Sequence, residues 1–121
     1  MLLDSNVIIA YLAGDVATVA LVQTSVAERR VLFASSVSVA EILSFPHLKA
    51  FEIERIRAFL DVLTILPPDR LTGEIAGAYR RQFHLSLPDA MIAASARQHN
   101  FTLVSYDNDF KKVRDVFVRT P

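Results

Sequence analysis

The sequence predicts a three-layer α/β/α sandwich built around a parallel sheet, and three observations carry that prediction. Five short runs rich in branched and aromatic residues recur along the chain, at residues 1–3, 31–34, 63–66, 101–104 and 116–118. None of them alternates polar with apolar, which is the pattern of strands covered on both faces. Helical patterns separate the runs, and such an alternation of strand and helix closes into layers with right-handed crossovers. At 121 residues the chain has the size of a single domain, residues 1–121. With 52% hydrophobic and 21% charged residues it can fill a core and lacks the composition of a disordered segment.

Taken in order, the first strand runs into Asp4-Ser5-Asn6, where Asp4 is placed to cap a helix over residues 7–12. Residues 16–28 carry Val16, Val19, Val22 and Val26 at helical spacing, which predicts that this valine face is the buried one. A helix after the second strand contains Glu41, and Ile53, Ile56, Leu60 and Leu63 mark another. Pro67-Pro68 then breaks the chain, and Asp69 offers an N-cap to a helix that passes through Ile75 and Tyr79 and ends near His84. Residues 89–96 are small and apolar all round, so this helix is predicted to be buried on most sides, with Leu87-Pro88 at its entrance and Asp89 opening it. No internal repeat, low-complexity tract or linker interrupts the pattern.

Composition also excludes several classes. Without cysteine there is no disulfide and no thiolate zinc site. No basic leader precedes Asp4 and no apolar stretch approaches the ~18 residues needed to cross a bilayer, so a cytoplasmic protein without membrane association is expected. The 13 basic and 13 acidic residues cancel. A nucleic-acid ligand would therefore have to be held locally or through metal, because the chain lacks the overall positive charge that usually supplies such affinity.

In an open parallel sheet, functional groups gather at the carboxyl ends of the strands. Four acids stand out: Asp4 directly follows the first strand, Glu41 lies one or two turns into the helix after the second, Asp89 opens the buried helix, and Asp107 follows the run that begins at Phe101. Singly, Asp4 and Asp89 have an ordinary explanation as helix caps. Glu41 does not, because Val39, Ala40, Ile42 and Leu43 surround it. Together the four would repel, by about 4 kcal/mol for a pair 4 Å apart at an effective dielectric of ~20, and protonation or a cation must resolve that. An all-oxygen set without a convergent histidine pattern selects a hard cation, Mg²⁺ or Mn²⁺. Such an ion can activate water and stabilise charge on a phosphodiester, so no side-chain nucleophile is required. Ser5, Asn6, Ser38, Ser105 and Asp109 are the polar neighbours predicted to support these acids.

Four segments now carry a resemblance: Leu3-Asp4-Ser5-Asn6-Val7-Ile8-Ile9, Ser35-Ser36-Val37-Ser38-Val39-Ala40-Glu41-Ile42, Leu87-Pro88-Asp89-Ala90-Met91-Ile92-Ala93-Ala94, and Leu103-Val104-Ser105-Tyr106-Asp107-Asn108-Asp109-Phe110. In this order and in a chain of this length they resemble PIN-domain ribonucleases of the VapC toxin type, over nearly the whole sequence. The resemblance implies a five-stranded parallel sheet, Mg²⁺- or Mn²⁺-dependent endoribonuclease activity, a homodimer, and a cognate antitoxin covering the groove. By position, Asp4, Glu41, Asp89 and Asp107 match the acidic quartet, Asn6 its polar helper and Asp109 a more variable acidic position. Ser5 stands where the family more often has threonine, which keeps the hydroxyl. The spacing of Asp107 and Asp109 leaves open which one reaches the metal, with Asp107 preferred.

Other features are less telling. His47, His84 and His99 lack ligand spacing and read as surface residues. Arg80-Arg81 and Lys111-Lys112-x-Arg114 could contact RNA phosphate or be solvated faces. Phe45, Phe51 and Phe59 could line an antitoxin groove or belong to the core, and the helices between residues 40 and 65 could form a dimer face. A haloacid-dehalogenase phosphatase would need an acid where Asn6 stands, and a receiver-like phosphorylation module would lack Asp89 at the mouth of a buried helix. The alternative from another class is a catalytically silent PIN fold acting only through protein contacts. Loss of an acid would mark it, and all four are present.

Overall fold

The computed structural model describes residues 1–121. Strand β1 (Leu2–Leu3) leads to α1 (Ser5–Leu12) and α2 (Val16–Ala27), and β2 (Phe33–Ser35) to α3 (Ser36–Leu43) and α4 (Ala50–Leu60). Then come β3 (Thr64–Leu66), α5 (Arg70–Phe83), α6 (Leu87–His99), β4 (Leu103–Val104), a 3₁₀ helix (Asn108–Lys112) and β5 (Val118–Arg119). The five strands form one sheet in the order β3-β2-β1-β4-β5, with every neighbouring pair parallel. Leu2 sits opposite Phe33 on one side and Leu103 on the other.

Successive residues of the central strands point to opposite faces and so feed two cores. Leu2 and Leu103 join Ala76, Tyr79, Ile92 and Ala93 beneath α5 and α6. Leu3 and Val104 join Val7, Ile8, Val22, Ile56 and Phe59 on the other face, beneath α1, α2 and α4. This is the predicted three-layer sandwich with a five-stranded parallel sheet. All residues of β1 and β4 are buried, as predicted, whereas edge strand β3 leaves Thr64 and Ile65 exposed. Pairing reaches only residues 33–35, 64–66, 103–104 and 118–119, so the strands are shifted or shorter than the apolar runs that predicted them.

Three local expectations differ from the structure. The buried face of α2 is Thr18, Val22 and Ser25, while Val16 is 84% and Val26 54% exposed. Hydrogen bonds make the polar face compatible with burial: Thr18 Oγ1 reaches Asp15 and Tyr106, and Ser25 Oγ donates to the Leu21 carbonyl. Second, α1 starts at Ser5 rather than residue 7, directly after its cap Asp4. Third, α6 starts at Leu87, so Pro88 and Asp89 lie within its first turn and Ser86 Oγ, not Asp89, caps it by accepting from the Asp89 N–H.

The remaining helices follow the sequence closely. Asp69 caps α5 through the Thr72 N–H, and His84 ends that helix in the left-handed conformation. Six residues of α6, among them Ala90, Ile92 and Ala93, are buried, and α5 and α6 pack against each other along their length. No single helix is long and apolar enough to cross a membrane; α1 and α2 together reach that composition but bend by 98°.

Candidate active site

The strand order has a switch point. From β1 the chain builds outward through β2 and β3, then returns to add β4 and β5 on the other side. A parallel sheet opens a crevice at the carboxyl ends of the two strands flanking such a reversal, here β1 and β4. Asp4 follows β1 and Ser105 follows β4, and the Asp4 N–H still donates to the Val104 carbonyl at 3.0 Å.

Asp4 is only 4% exposed. Its Oδ1 accepts from the Ser5 N–H at 2.8 Å, and its Oδ2 accepts from Ser105 Oγ at 2.8 Å. Burial pushes its carboxyl up to about 6, opposed by those two hydrogen bonds and reinforced by the charges of Asp89 and Glu41. Ser105 is a junction, because its Oγ also accepts from Asn6 Nδ2 at 3.2 Å and from the Asp107 N–H at 2.9 Å. Asn6 in turn accepts the Tyr106 N–H at 3.2 Å. The loop carrying Asp107 is thereby fastened to the first turn of α1.

Glu41 is half-buried on α3, and Ser5 Oγ donates to its Oε1 at 2.6 Å. Burial also raises the Asp89 carboxyl, opposed by its Ser86 hydrogen bond, with the charges of Asp107, Glu41 and Asp109 adding to the rise. Asp4, Glu41, Asp89 and Asp107 line one open cleft of about 480 Å³, together with Ser5, Asn6, Ile9, Ser44 and Phe45. Although they share this cleft and its field, no three carboxylates converge into a closed ligand cluster.

Two of the predicted supporting residues, Ser38 and Asp109, do not line the cleft. Ser38 is fully buried, but its hydroxyl has no hydrogen-bond partner and does not reach Glu41. Asp109 is exposed, outside the cleft lining, and its Oδ1 lies 3.3 Å from Lys112 Nζ. Its N–H donates to Asp107 Oδ1 at 2.8 Å, so Asp107 caps the 3₁₀ helix while also facing the cleft. The sequence reading missed Ser44 and Tyr106. Ser44 is the C-cap of α3, one turn beyond Glu41, a spacing that could have revealed it. Tyr106 Oη donates to Asp15 at 2.6 Å across 91 residues, which no local pattern discloses.

The donor set fits a hard divalent cation. The acids and hydroxyls that line the cleft offer oxygen ligands, and none of the four acids forms an ion pair with a basic side chain, although the protein contains five other such pairs. A buried carboxylate with no counter-charge, such as Asp4, gains most from a cation.

The aromatic residues separate. Phe59 is core, stacked on Tyr11 with centroids 4.0 Å apart. Phe51 is exposed and lies beneath Lys49 Nζ. Phe45 lines both the acidic cleft and a neighbouring apolar groove of about 260 Å³, formed with Ile9, Leu12, Ile42, Leu48 and Ile56. His47, His84 and His99 are exposed, as predicted.

The PIN-domain family model matches residues 1–116. No curated protein sequence matches the chain. Among solved structures, the chain is similar to VapBC2 from Rickettsia felis bound to a promoter DNA fragment, with a TM-score of 0.87, 20% identity, and coverage of 99% of this chain and 97% of that one. A toxin–antitoxin complex from Klebsiella pneumoniae matches with a TM-score of 0.77, 25% identity, and coverage of 99% and 96%. FitAcB from Neisseria gonorrhoeae matches with a TM-score of 0.80, 26% identity, and coverage of 99% and 96%.

Proposed function

From the chain's membership of the PIN-domain family, we propose that it is a Mg²⁺- or Mn²⁺-dependent endoribonuclease and the toxin of a toxin–antitoxin pair, acting in the cytoplasm. The observation that carries this reading is the cleft itself: four carboxylates without a basic partner, at the switch point of a parallel sheet. Asp4, Glu41, Asp89 and Asp107 would hold the cation. When bound, it would polarise the phosphoryl group and stabilise charge on the leaving oxygen.

The chain's own residues orient these ligands. Ser105 and the Ser5 N–H hold the two oxygens of Asp4 apart and fix its plane. The Ser5 hydroxyl draws Glu41 towards the same turn, and Ser86 places Asp89 in the first turn of α6. Asp107 rather than Asp109 is the ligand on this reading, because Asp107 faces the cleft and Asp109 is exposed beside Lys112. The completeness of the quartet favours the enzyme over a silent binding module.

Toxin–antitoxin complexes among the structural neighbours support an antitoxin partner. The apolar groove beside the cleft is the surface we assign to it, since it shares Ile9 and Phe45 with the acidic wall and a segment lying there would reach the carboxylates. A homodimer through the exposed face of α4 and the following turn, where Phe51 and Val62 are 61% and 54% exposed, belongs to the same reading.

The test is cleavage of a mixed cellular RNA pool by purified protein with Mg²⁺, Mn²⁺ or EDTA, followed by sequencing of the new ends. Discrete ends that require metal are expected and would identify the target. Absence of cleavage under every condition would transfer the weight to the silent module.

A further inference from the structure

A second, larger cleft of about 910 Å³ opens between the end of α5 and the 3₁₀ helix. Lys111, Lys112 and Arg114 form one wall with Asp115, and Phe83 and His84 belong to the other. The sequence placed Lys111-Lys112-x-Arg114 and Arg80-Arg81 in the same class, but the fold separates them. Arg80 and Arg81 are not among the lining residues, and Arg80 Nε turns to the Leu85 carbonyl at 3.4 Å.

The charges in this cleft are unevenly matched. Asp115 is already engaged, with Oδ1 accepting from Tyr79 Oη at 2.8 Å and Oδ2 from Arg97 Nε at 3.2 Å. Lys112 is paired with Asp109. Lys111 and Arg114 are exposed and form no ion pair. In a chain whose net charge is zero, two unpaired cations beside a half-buried aromatic ring mark a local anion surface. Basic side chains next to an aromatic face are the elements that bind single-stranded nucleic acid, through phosphate and base respectively.

Each wall is joined to the acidic cleft by a short segment of chain. Asp107 caps the 3₁₀ helix whose last turn carries Lys111 and Lys112, and that five-residue helix is about 10 Å long at its ~2 Å rise. His84 precedes Asp89 by five residues through the cap Ser86. The length of that 3₁₀ helix corresponds to about three nucleotides at the ~3.4 Å rise of a stacked strand.

Resting on the nuclease reading, we propose that this cleft binds the RNA backbone to one side of the cleaved phosphate, with Lys111 and Arg114 as the phosphate contacts. It supplies locally the affinity that a neutral chain cannot supply through its overall charge.

The test measures binding of a fluorescent single-stranded RNA by anisotropy at several salt concentrations, in Mg²⁺ and in the Asp4→Asn background so that cleavage does not interfere. Lys111→Gln/Arg114→Gln is compared with Arg29→Gln/Arg70→Gln, which removes the same charge outside the cleft. The cleft pair is expected to weaken binding on the order of tenfold and to lower the salt slope by about 1.4, and the control pair to change little. Unchanged affinity and slope in the cleft pair, or an equal loss in the control pair, would overturn the proposal. Cleavage by the wild type in the same buffer is read separately, so that failure of the nuclease reading is distinguished from failure of the RNA track. Both positions are exposed and unpaired, and an unchanged melting temperature confirms that the cleft pair folds.

Discussion

Asp4 shows how one residue couples stability to chemistry. Its folded pKa of about 6 lies above the ordinary 3.8, so between those values the native protein keeps a proton that the unfolded chain has released. The stability of the metal-free protein should therefore fall as pH rises from about 4 to 6, by up to about 3 kcal/mol. Asp4→Asn should remove that decline and, in EDTA near pH 7.5, be more stable than the wild type by about 2 kcal/mol. Urea denaturation of both proteins across this range checks it, and parallel pH profiles would contradict it. Ser105 acts through its neighbours. Ser105→Ala removes a donor to Asp4 and an acceptor for Asn6 and Asp107, and should cost about 1–3 kcal/mol and raise the Mn²⁺ concentration needed for half-maximal cleavage. Asp4, Glu41 and Asp107 were legible in the sequence because each follows a strand, and Asp89 because it opens a helix that is otherwise small and apolar. The hydroxyls that serve them were only partly so: Ser5 and Ser105 touch carboxylates, whereas the Ser38 hydroxyl is buried without a partner.

Elements read well from sequence where a boundary residue made its own hydrogen bond. Asp69 after Pro67-Pro68 is such a case: its carboxylate accepts from the Thr72 N–H and, across the helix pair, from Gln98 Nε2. Asp69→Ala should cost about 1–2 kcal/mol by urea denaturation, since it removes both the α5 cap and a tie to α6. An unchanged midpoint would show that the cap is dispensable. Elements read poorly where tertiary contacts override periodicity. The valines of α2 predicted one face, but the Asp15–Thr18–Tyr106 hydrogen bonds turn another inward. Pro88 misplaced the start of α6, because proline is tolerated within a first turn as well as before it.

On the scale of the molecule, the layered fold was legible because β1 and β4 are buried on both faces and their apolar runs have no alternation to obscure them. The basic cleft was not, since it depends on how the end of α5 meets the segment after β4. With four acids free of ion pairs in one cleft and Lys111 and Arg114 free of them in the other, on the proposed reading a neutral chain holds a cation and a polyanion at separate sites. A cation that binds only the native state should stabilise it, by about 2.7 kcal/mol at a hundredfold excess over its dissociation constant. Mn²⁺ should thus raise the melting temperature of the wild type and not that of Asp4→Asn. The most direct test of the account is a cleavage assay in Mn²⁺ on Asp4→Asn, Glu41→Gln, Asp89→Asn, Asp107→Asn and Asp109→Asn beside the wild type. A loss of at least about 100-fold is expected in the first four, on the order of a removed transition-state contact, and near-wild-type cleavage by Asp109→Asn. Cleavage that persists in both Asp4→Asn and Asp89→Asn would contradict it.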